Sequence, residues 1–388
     1  MIVHLTLAQP LVVSGPNAAL IRLMAAYPDR LDADEADRVL AAIANGDDPC
    51  RVLLDRRIVH VAAVTCSAAA TMAMPGSRWS SMRLLVDAIA DVQLKEYIRV
   101  RTALDEAGIE ALVPKGLFFT ATVYPHLPRP FSGDVDLLVR RADLKRAHEE
   151  IMRLGYSEGL VVRRSKPVKL PGTHVERLRR SPWLFGQLPP LSRLVRAPEL
   201  DEHATTAQLL FPFHIVVAGG QVYLRPSFDL HFSLNLLGDD DGTRQRPTEA
   251  DWWSSVRRVR YRGATLDVPS DTVVAWAVAY RWYHDAMLFC DTSWKGLADL
   301  LALVHLGRVD FGALADTVGR LSALRPPVFY VYRILRQVFG APVPHGFLTE
   351  ISEQTTTPLS DLGDVLPRLV GVRPEYTIVN RTACANDD

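Results

Sequence analysis

Apolar residues recur at helical spacing through the first third of this chain and again after residue 270, with period-two segments between them. The first 80 residues are alanine-rich, and Asp32-Ala33-Asp34-Glu35 reads as a helix start ahead of Val39, Leu40 and Ile43. Pro75-Gly76-Ser77 marks a break. Ser81 to Ala107 predicts one long helix, with Leu84, Leu85, Ala88, Val92, Tyr97 and Val100 as its apolar stripe. Further helices are expected over Ser270 to Phe289, Trp294 to Val304, Asp310 to Leu321 and Val328 to Phe339, and Asn380 to Asp388 are expected to fray.

Between these helical regions the pattern changes. Ile109 to Val113 predicts a strand that stops at Pro114-Lys115-Gly116 and gives way to a helix running to Tyr124. Asp134-Val135-Asp136-Leu137-Leu138-Val139 predicts a second strand. Residues 142–154 form an amphipathic pattern closed by Gly155, a C-terminal helix stop. Gln208 to Val217 and Val222 to Leu234 are expected to extend the sheet. The fold class is therefore α/β (α+β): a small mixed sheet flanked by N- and C-terminal helical regions. Expected boundaries are 1–80, 81–240 and 241–388.

Side chains alternate across a strand, so Asp134 and Asp136 share one face while Val135, Leu137 and Val139 anchor the other. Two carboxylates that close repel, and a divalent cation resolves the repulsion. Hard oxygen ligands suit magnesium, which borrows remaining ligands from substrate phosphates; solvated aspartates at a strand end are the plain alternative. In Ser227-Phe228-Asp229-Leu230-His231-Phe232 the same alternation presents Asp229 as a candidate third carboxylate. Carboxylate triads hold two metal ions about 4 Å apart. His231 shares that face and reads as a hydrogen-bonding neighbour more than a ligand. At the turn, Gly116 allows close backbone approach and Lys115 adds a point charge suited to phosphate. Arg129 precedes the acidic pair, placed either to reach a triphosphate or to sit on the surface. Lys295 and Asp299 stand four apart on a helix, as a surface pair or a nucleotide contact. His284-Asp285 read as ordinary surface groups.

Val113 to Tyr156, with Pro114-Lys115-Gly116, Asp134-Val135-Asp136-Leu137-Leu138-Val139 and a helix ending Leu154-Gly155-Tyr156, resembles the uncharacterised nucleotidyltransferase family of the DNA polymerase β-like superfamily. Phe228-Asp229-Leu230-His231-Phe232 is similar to that family's later Asp-Leu-His segment, as is the stretch around His284-Asp285 with Trp294 to Leu301 behind it. The resemblance covers roughly residues 80–305. It implies that Asp134, Asp136 and Asp229 are the catalytic metal ligands and that Lys115 and Gly116 replace the superfamily's Gly-Ser phosphate turn. It also implies Mg2+, two ions, as cofactor and an NTP as co-substrate. The NMP would pass to a small-molecule, peptide or protein acceptor as pyrophosphate leaves. The chain departs from the superfamily at Lys-Gly and in the longer gap from Gly116 to Asp134. Transfer to an RNA (tRNA) end, or a non-catalytic binding module on the same fold, are the alternatives.

Composition narrows this little. The chain has 388 residues, room for two or three domains, and 48% hydrophobic content. Its 44 basic and 44 acidic residues create no global field toward a polyanion. Charge is nevertheless uneven: residues 161–180 carry Arg163, Arg164, Lys166, Lys169, Arg177, Arg179 and Arg180 against Glu176. That segment is expected to be a solvated mobile loop, or else a rim for phosphates or RNA. Gly238-Asp239-Asp240-Asp241-Gly242 is expected to be solvated turn charge. Cys50, Cys66, Cys290 and Cys384 have no zinc or redox spacing, which together with no evident secretory signal points to the cytoplasm. No stretch approaches the roughly 20 apolar residues of a membrane helix.

Overall fold

The computed structural model describes residues 2–3, 11–12, 15–44, 49–66, 78–125, 129–181, 185–235, 245–289 and 293–353. Pro75-Gly76-Ser77, the Gly238 to Gly242 turn, Cys290, Cys384 and Asn380 to Asp388 lie outside the described residues. The architecture is α+β, with small sheets set among helices. At its centre is a five-stranded sheet built from β1 (Ala111–Leu112), β2 (Val135–Val139), β3 (Ser157–Glu158), β4 (Leu191–Ser192) and β5 (Ser227–His231), in the order β1-β2-β5-β4-β3. β2 and β5 are parallel neighbours, and the other pairings are antiparallel. Every residue of β2 is buried, which explains its near-continuous apolar run around a single aspartate.

The long helix α1 (Trp79–Glu106) buries Met82, Leu85, Val86, Ile89, Val92, Tyr97, Val100 and Leu104, a spacing that keeps one face toward the sheet. Leu84, expected in that stripe, is instead one of the exposed large hydrophobic residues, because it falls off the face these neighbours define. The short helix α2 (Leu117–Thr122) follows β1, and α3 (Leu144–Arg153) follows β2 and ends before Gly155 at φ +86°. α4 (Asp271–Phe289) and α5 (Lys295–His305) close over the site from the C-terminal side. They pack tightly: a Cβ on Gly296 would lie 3.2 Å from Trp282 Cβ, and Trp282 Nε1 donates to Ser293 O at 2.8 Å. Further helices span Phe311–Arg320, Arg325–Gln337 and His345–Glu353. One continuous apolar cluster joins the N-terminal helices, the sheet and these C-terminal helices.

Three expectations are corrected. Gln208 to Val217 is not a strand of the central sheet. Ala204–Leu210 is a helix burying Ala207 and Leu210, three apart on one face, and Ile215–Ala218 pairs with Gln221–Leu224 in a separate three-stranded sheet. Gly219 and Gly220, both at positive φ, make that reversal. Residues 161–180 are not a loop: Leu160–Arg163 and Lys166–Lys169 form a hairpin, followed by a helix over Gly172–Arg179. Finally, the region read as helical from 241 contains a hairpin, Val256–Tyr261 with Ala264–Pro269, whose Ala264, Leu266 and Val268 are buried at period two. It joins the core through Val113 N to Asp267 O at 2.9 Å and Tyr97 Oη to Thr265 O at 3.2 Å.

Candidate active site

The loop before β2 is held in place by α1. Gln93 Nε2 donates to Ser132 O at 2.9 Å, and the Arg129 guanidinium bonds to Asp91 at 2.5 Å and lies 3.4 Å from Asp87. Ser132 Oγ donates to Asp134 O at 3.0 Å. The Pro-Lys-Gly turn packs directly onto this loop. Gly116 has φ +56°, and a Cβ there would sit 3.3 Å from Ser132 Oγ and 3.8 Å from Asp136 Oδ2, so both conformation and space favour glycine. The turn delivers Lys115 Nζ to 2.9 Å from Asp136 Oδ1.

Register brings in the third acid. Asp229 on β5 is the direct partner of Asp136 on β2, and His231, two residues on, shares Asp229's face. His231 Nε2 lies 2.9 Å from Asp136 Oδ1. A carboxylate oxygen accepts, so that nitrogen carries the proton, and burial keeps the ring neutral by lowering its pKa. Asp136, Asp229 and His231 each offer a ligand atom, all within 4.8 Å of one another. Burial alone would raise the pKa of Asp136, yet the Lys115 charge and the His231 hydrogen bond hold it below the ordinary range. Among the described residues Asp229 has no such ion-pair or hydrogen-bond partner. Burial, then the charges of Asp134 and Asp136, push its pKa well up, against Lys115 and Arg281. This imbalance is a surplus of negative charge on hard oxygen donors, and it suits a divalent cation.

The cleft over these acids measures about 610 Å³ with the space open to solvent included, and takes in Asp134, Asp136, Lys115, Arg281, Lys295 and Asp299. Arg281 comes from α4 and is braced by Asp285 at 2.8 Å. Lys295 Nζ lies 2.5 Å from Asp299 Oδ2, and Tyr124 Oη donates to Asp299 Oδ1 at 3.2 Å. Asp299 is 2% exposed and Asp285 also lines the cleft, so neither these two nor Lys295 form a surface set. His284 turns away, its Nδ1 2.7 Å from Tyr280 O.

The site residues expected from sequence therefore fall into two groups. Asp134, Asp136, Lys115, Lys295 and Asp299 line one cleft, and Asp229 adjoins it through Asp136; the potential ligand atoms within 4.8 Å of one another belong to Asp136, Asp229 and His231, a group that does not include Asp134. Gly116 lies against Asp136 beneath the cleft, while the Arg129 guanidinium is spent on Asp87 and Asp91 in a smaller pocket that also reaches Asp134. Arg281 was not anticipated. Its signal was available: it is the one charge in Thr272-Val-Val-Ala-Trp-Ala-Val-Ala-Tyr-Arg281-Trp-Tyr283, an otherwise uncharged helical run, with an acid four residues on.

Among the described residues no helix is long and apolar enough to cross a membrane. No curated protein and no solved structure matches the chain. A family model described as an uncharacterised nucleotidyltransferase matches residues 55–340, wider than the stretch 80–305 that carries the sequence resemblance, and spans the sheet, the turn, both acidic strands and the α4 and α5 walls of the cleft. The chain belongs to the uncharacterised nucleotidyltransferase family.

Proposed function

We propose that this protein is a metal-dependent nucleotidyltransferase that transfers NMP from an NTP to a small-molecule, peptide or protein acceptor and releases pyrophosphate. The observation that carries this reading is the in-register pairing of Asp229 with Asp136 beside Lys115, next to a cleft with three further cations, Arg57, Arg281 and Lys295. Asp134, Asp136 and Asp229 would hold Mg2+, two ions, which when bound neutralise charge on the triphosphate and favour ionisation of the attacking group. Asp229, ionised once a cation balances the neighbouring acids, would take the proton from an acceptor hydroxyl or amine. The acceptor oxygen or nitrogen then bonds to the α-phosphorus as the bond to the bridging oxygen breaks, and that electron pair leaves with pyrophosphate. Lys115 and Arg281 face the departing charge from the turn and from α4, where partial exclusion of water strengthens the attraction. His231 orients Asp136, and Arg129 braces the loop that carries Asp134. Lys295 is taken up by Asp299, and the pair shapes the far wall of the cleft.

A polynucleotide acceptor is less favoured, because the basic 161–180 segment is partly neutralised: Arg179 pairs with Glu158 just ahead of it, and Arg180 with Glu176 inside it. The test is incubation with each NTP and Mg2+, following pyrophosphate release and the masses of the protein and of candidate acceptors, tRNA among them. A mass gain of one NMP on a small molecule, peptide or protein supports the reading. Incorporation confined to tRNA, or none with any NTP, contradicts it.

A further inference from the structure

Among the described residues four cations and four acids line the cleft, and their pairing is uneven. Lys115 pairs with Asp136 at 2.9 Å, Arg281 with Asp285 at 2.8 Å and Lys295 with Asp299 at 2.5 Å. The fourth cation, Arg57, and the fourth acid, Asp134, have no ion-pair partner among the described residues. Asp134 belongs to the acidic strand of the proposed metal site. Nothing described so far accounts for Arg57, which is exposed on the cleft.

The backbone makes an arginine at this position unexpected. The helix Pro49–Asp55 ends in the paired bonds of a Schellman closure, Ile58 N to Leu53 O at 3.0 Å and Arg57 N to Leu54 O at 2.9 Å, with Leu53 and Ile58 both buried. That closure puts residue 57 at φ +57°, where glycine is the usual residue and an L side chain is strained. The turn is fixed against the start of α5: Arg56 O accepts from Trp294 N at 2.9 Å, and the Arg56 guanidinium lies 5.4 Å from the Trp294 ring centre. Two adjacent arginines thus have different surroundings, Arg56 docked on a tryptophan and Arg57 facing the cleft. His214, whose ring lies against Gly133 beside Asp134, has its pKa lowered by burial and then by the charges of Arg225 and Arg57, which sets Arg57 toward that loop.

We infer that Arg57 binds the terminal phosphate of the NTP. The inference rests on the nucleotidyltransferase reading and adds a phosphate contact made by the N-terminal helices. Lys115 touches Asp136, and Arg281 feels the charges of Asp136 and Asp229, so these two cations stand beside the reacting phosphate. Arg57 comes to the cleft from a separate element, with a planar fork that takes two phosphate oxygens at once. The terminal phosphate carries the largest charge of the triphosphate and departs within pyrophosphate, so an unpaired guanidinium there holds the leaving group as the bond breaks. Strain that glycine would avoid is the mark of a side chain retained for a ligand.

Arg57→Gly separates this role from a structural one, because glycine suits φ +57° and the variant should melt no lower than the wild type. Calorimetry on the full chain with Mg2+ and no acceptor compares each NTP with its own NDP. The wild type is expected to bind its preferred NTP about tenfold or more tightly than the NDP, and Arg57→Gly should bring that ratio to within about threefold by weakening the NTP alone. A variant that keeps the wild-type ratio overturns the inference while leaving the nucleotidyltransferase reading intact, as does wild-type protein that binds NTP and NDP equally. A variant that melts well below the wild type assigns Arg57 to the fold and overturns it as well. Absence of Mg2+-dependent binding of every NTP overturns both.

Discussion

Two buried aspartates in one cleft each touch a lysine, yet their pKa values move in opposite directions. Asp136 accepts from Lys115 and from His231 and stays below the usual carboxylate range. Asp299 touches Lys295 at 2.5 Å and accepts from Tyr124, but burial outweighs both partners and its pKa is raised. The difference lies in the neighbours. Asp136 sits among other acids, with Asp229 directly across the strand pair, so its lysine and histidine serve a site with more negative charge than protein groups alone balance. Among the described residues Asp299 has one cation, one tyrosine and no second acid in contact; its partner Tyr124 packs edge-on to His60 at 5.0 Å between ring centres. The first contact is arranged for a ligand and the second ties the cleft to the N-terminal helices.

Breaking each contact should therefore have a different consequence. Asp136→Asn is expected to reduce NMP transfer by at least about a thousandfold while circular dichroism stays native, as for a residue acting within a catalytic unit. Lys295→Met should instead act on stability, lowering it by about 3 kcal/mol in denaturant titration, because it leaves a buried carboxylate without its cation. The double change with Asp299→Asn should recover most of that loss. Lys115→Met, by contrast, should cost nucleotide binding much more than stability. If both lysine variants lost stability equally and kept nucleotide binding, the distinction would be gone.

The same contrast has a pH signature. His60 is 0% exposed, neither ring nitrogen has a partner, and burial, with the charges of Lys295 and Arg83, lowers its pKa from 6.5 to about 3. Between those values the unfolded chain binds a proton that the folded chain refuses. Its contribution to stability therefore falls as pH drops, by about 1.4 kcal/mol per unit once well below 6.5. His60→Leu should flatten that part of the stability curve, as measured by chemical denaturation at pH 7 and pH 5. The smallest effect sharpens the acidic side: Gly116→Ala imposes an L side chain on φ +56°, at an expected cost of about 1 kcal/mol in stability. Its larger effect should be on the apparent affinity for Mg2+-NTP, because the new Cβ crowds Ser132 Oγ at 3.3 Å and reaches Asp136 Oδ2 at 3.8 Å.

How much of this could be read from sequence follows from the range of each interaction. Asp136 and Asp229 announce themselves because strand alternation is local, and Gly116 and Gly155 because turns are local. That β5 lies parallel to β2, with 229 opposite 136, has no local signature; pairing across some ninety residues is a property of the packed sheet. Arg129 shows the same limit. Its position beside the acidic loop suggested a phosphate contact, but only the placement of α1 shows that Asp87 and Asp91 hold it. The hairpin at 256–269 escaped because Arg257, Arg258 and Arg260 mask the alternation on its first strand, leaving the signal to Ala264, Leu266 and Val268 on the second.

The claim on which the account turns is that Asp136 and Asp229, set opposite one another by strand register, grip a divalent cation together. Manganese binding to the protein alone, followed by the electron paramagnetic resonance signal of free Mn2+, reads this directly. The wild-type protein should deplete the free signal, and Asp229→Asn, folded by circular dichroism, should fail to do so. An Asp229→Asn variant that takes up manganese as tightly as the wild type would contradict it.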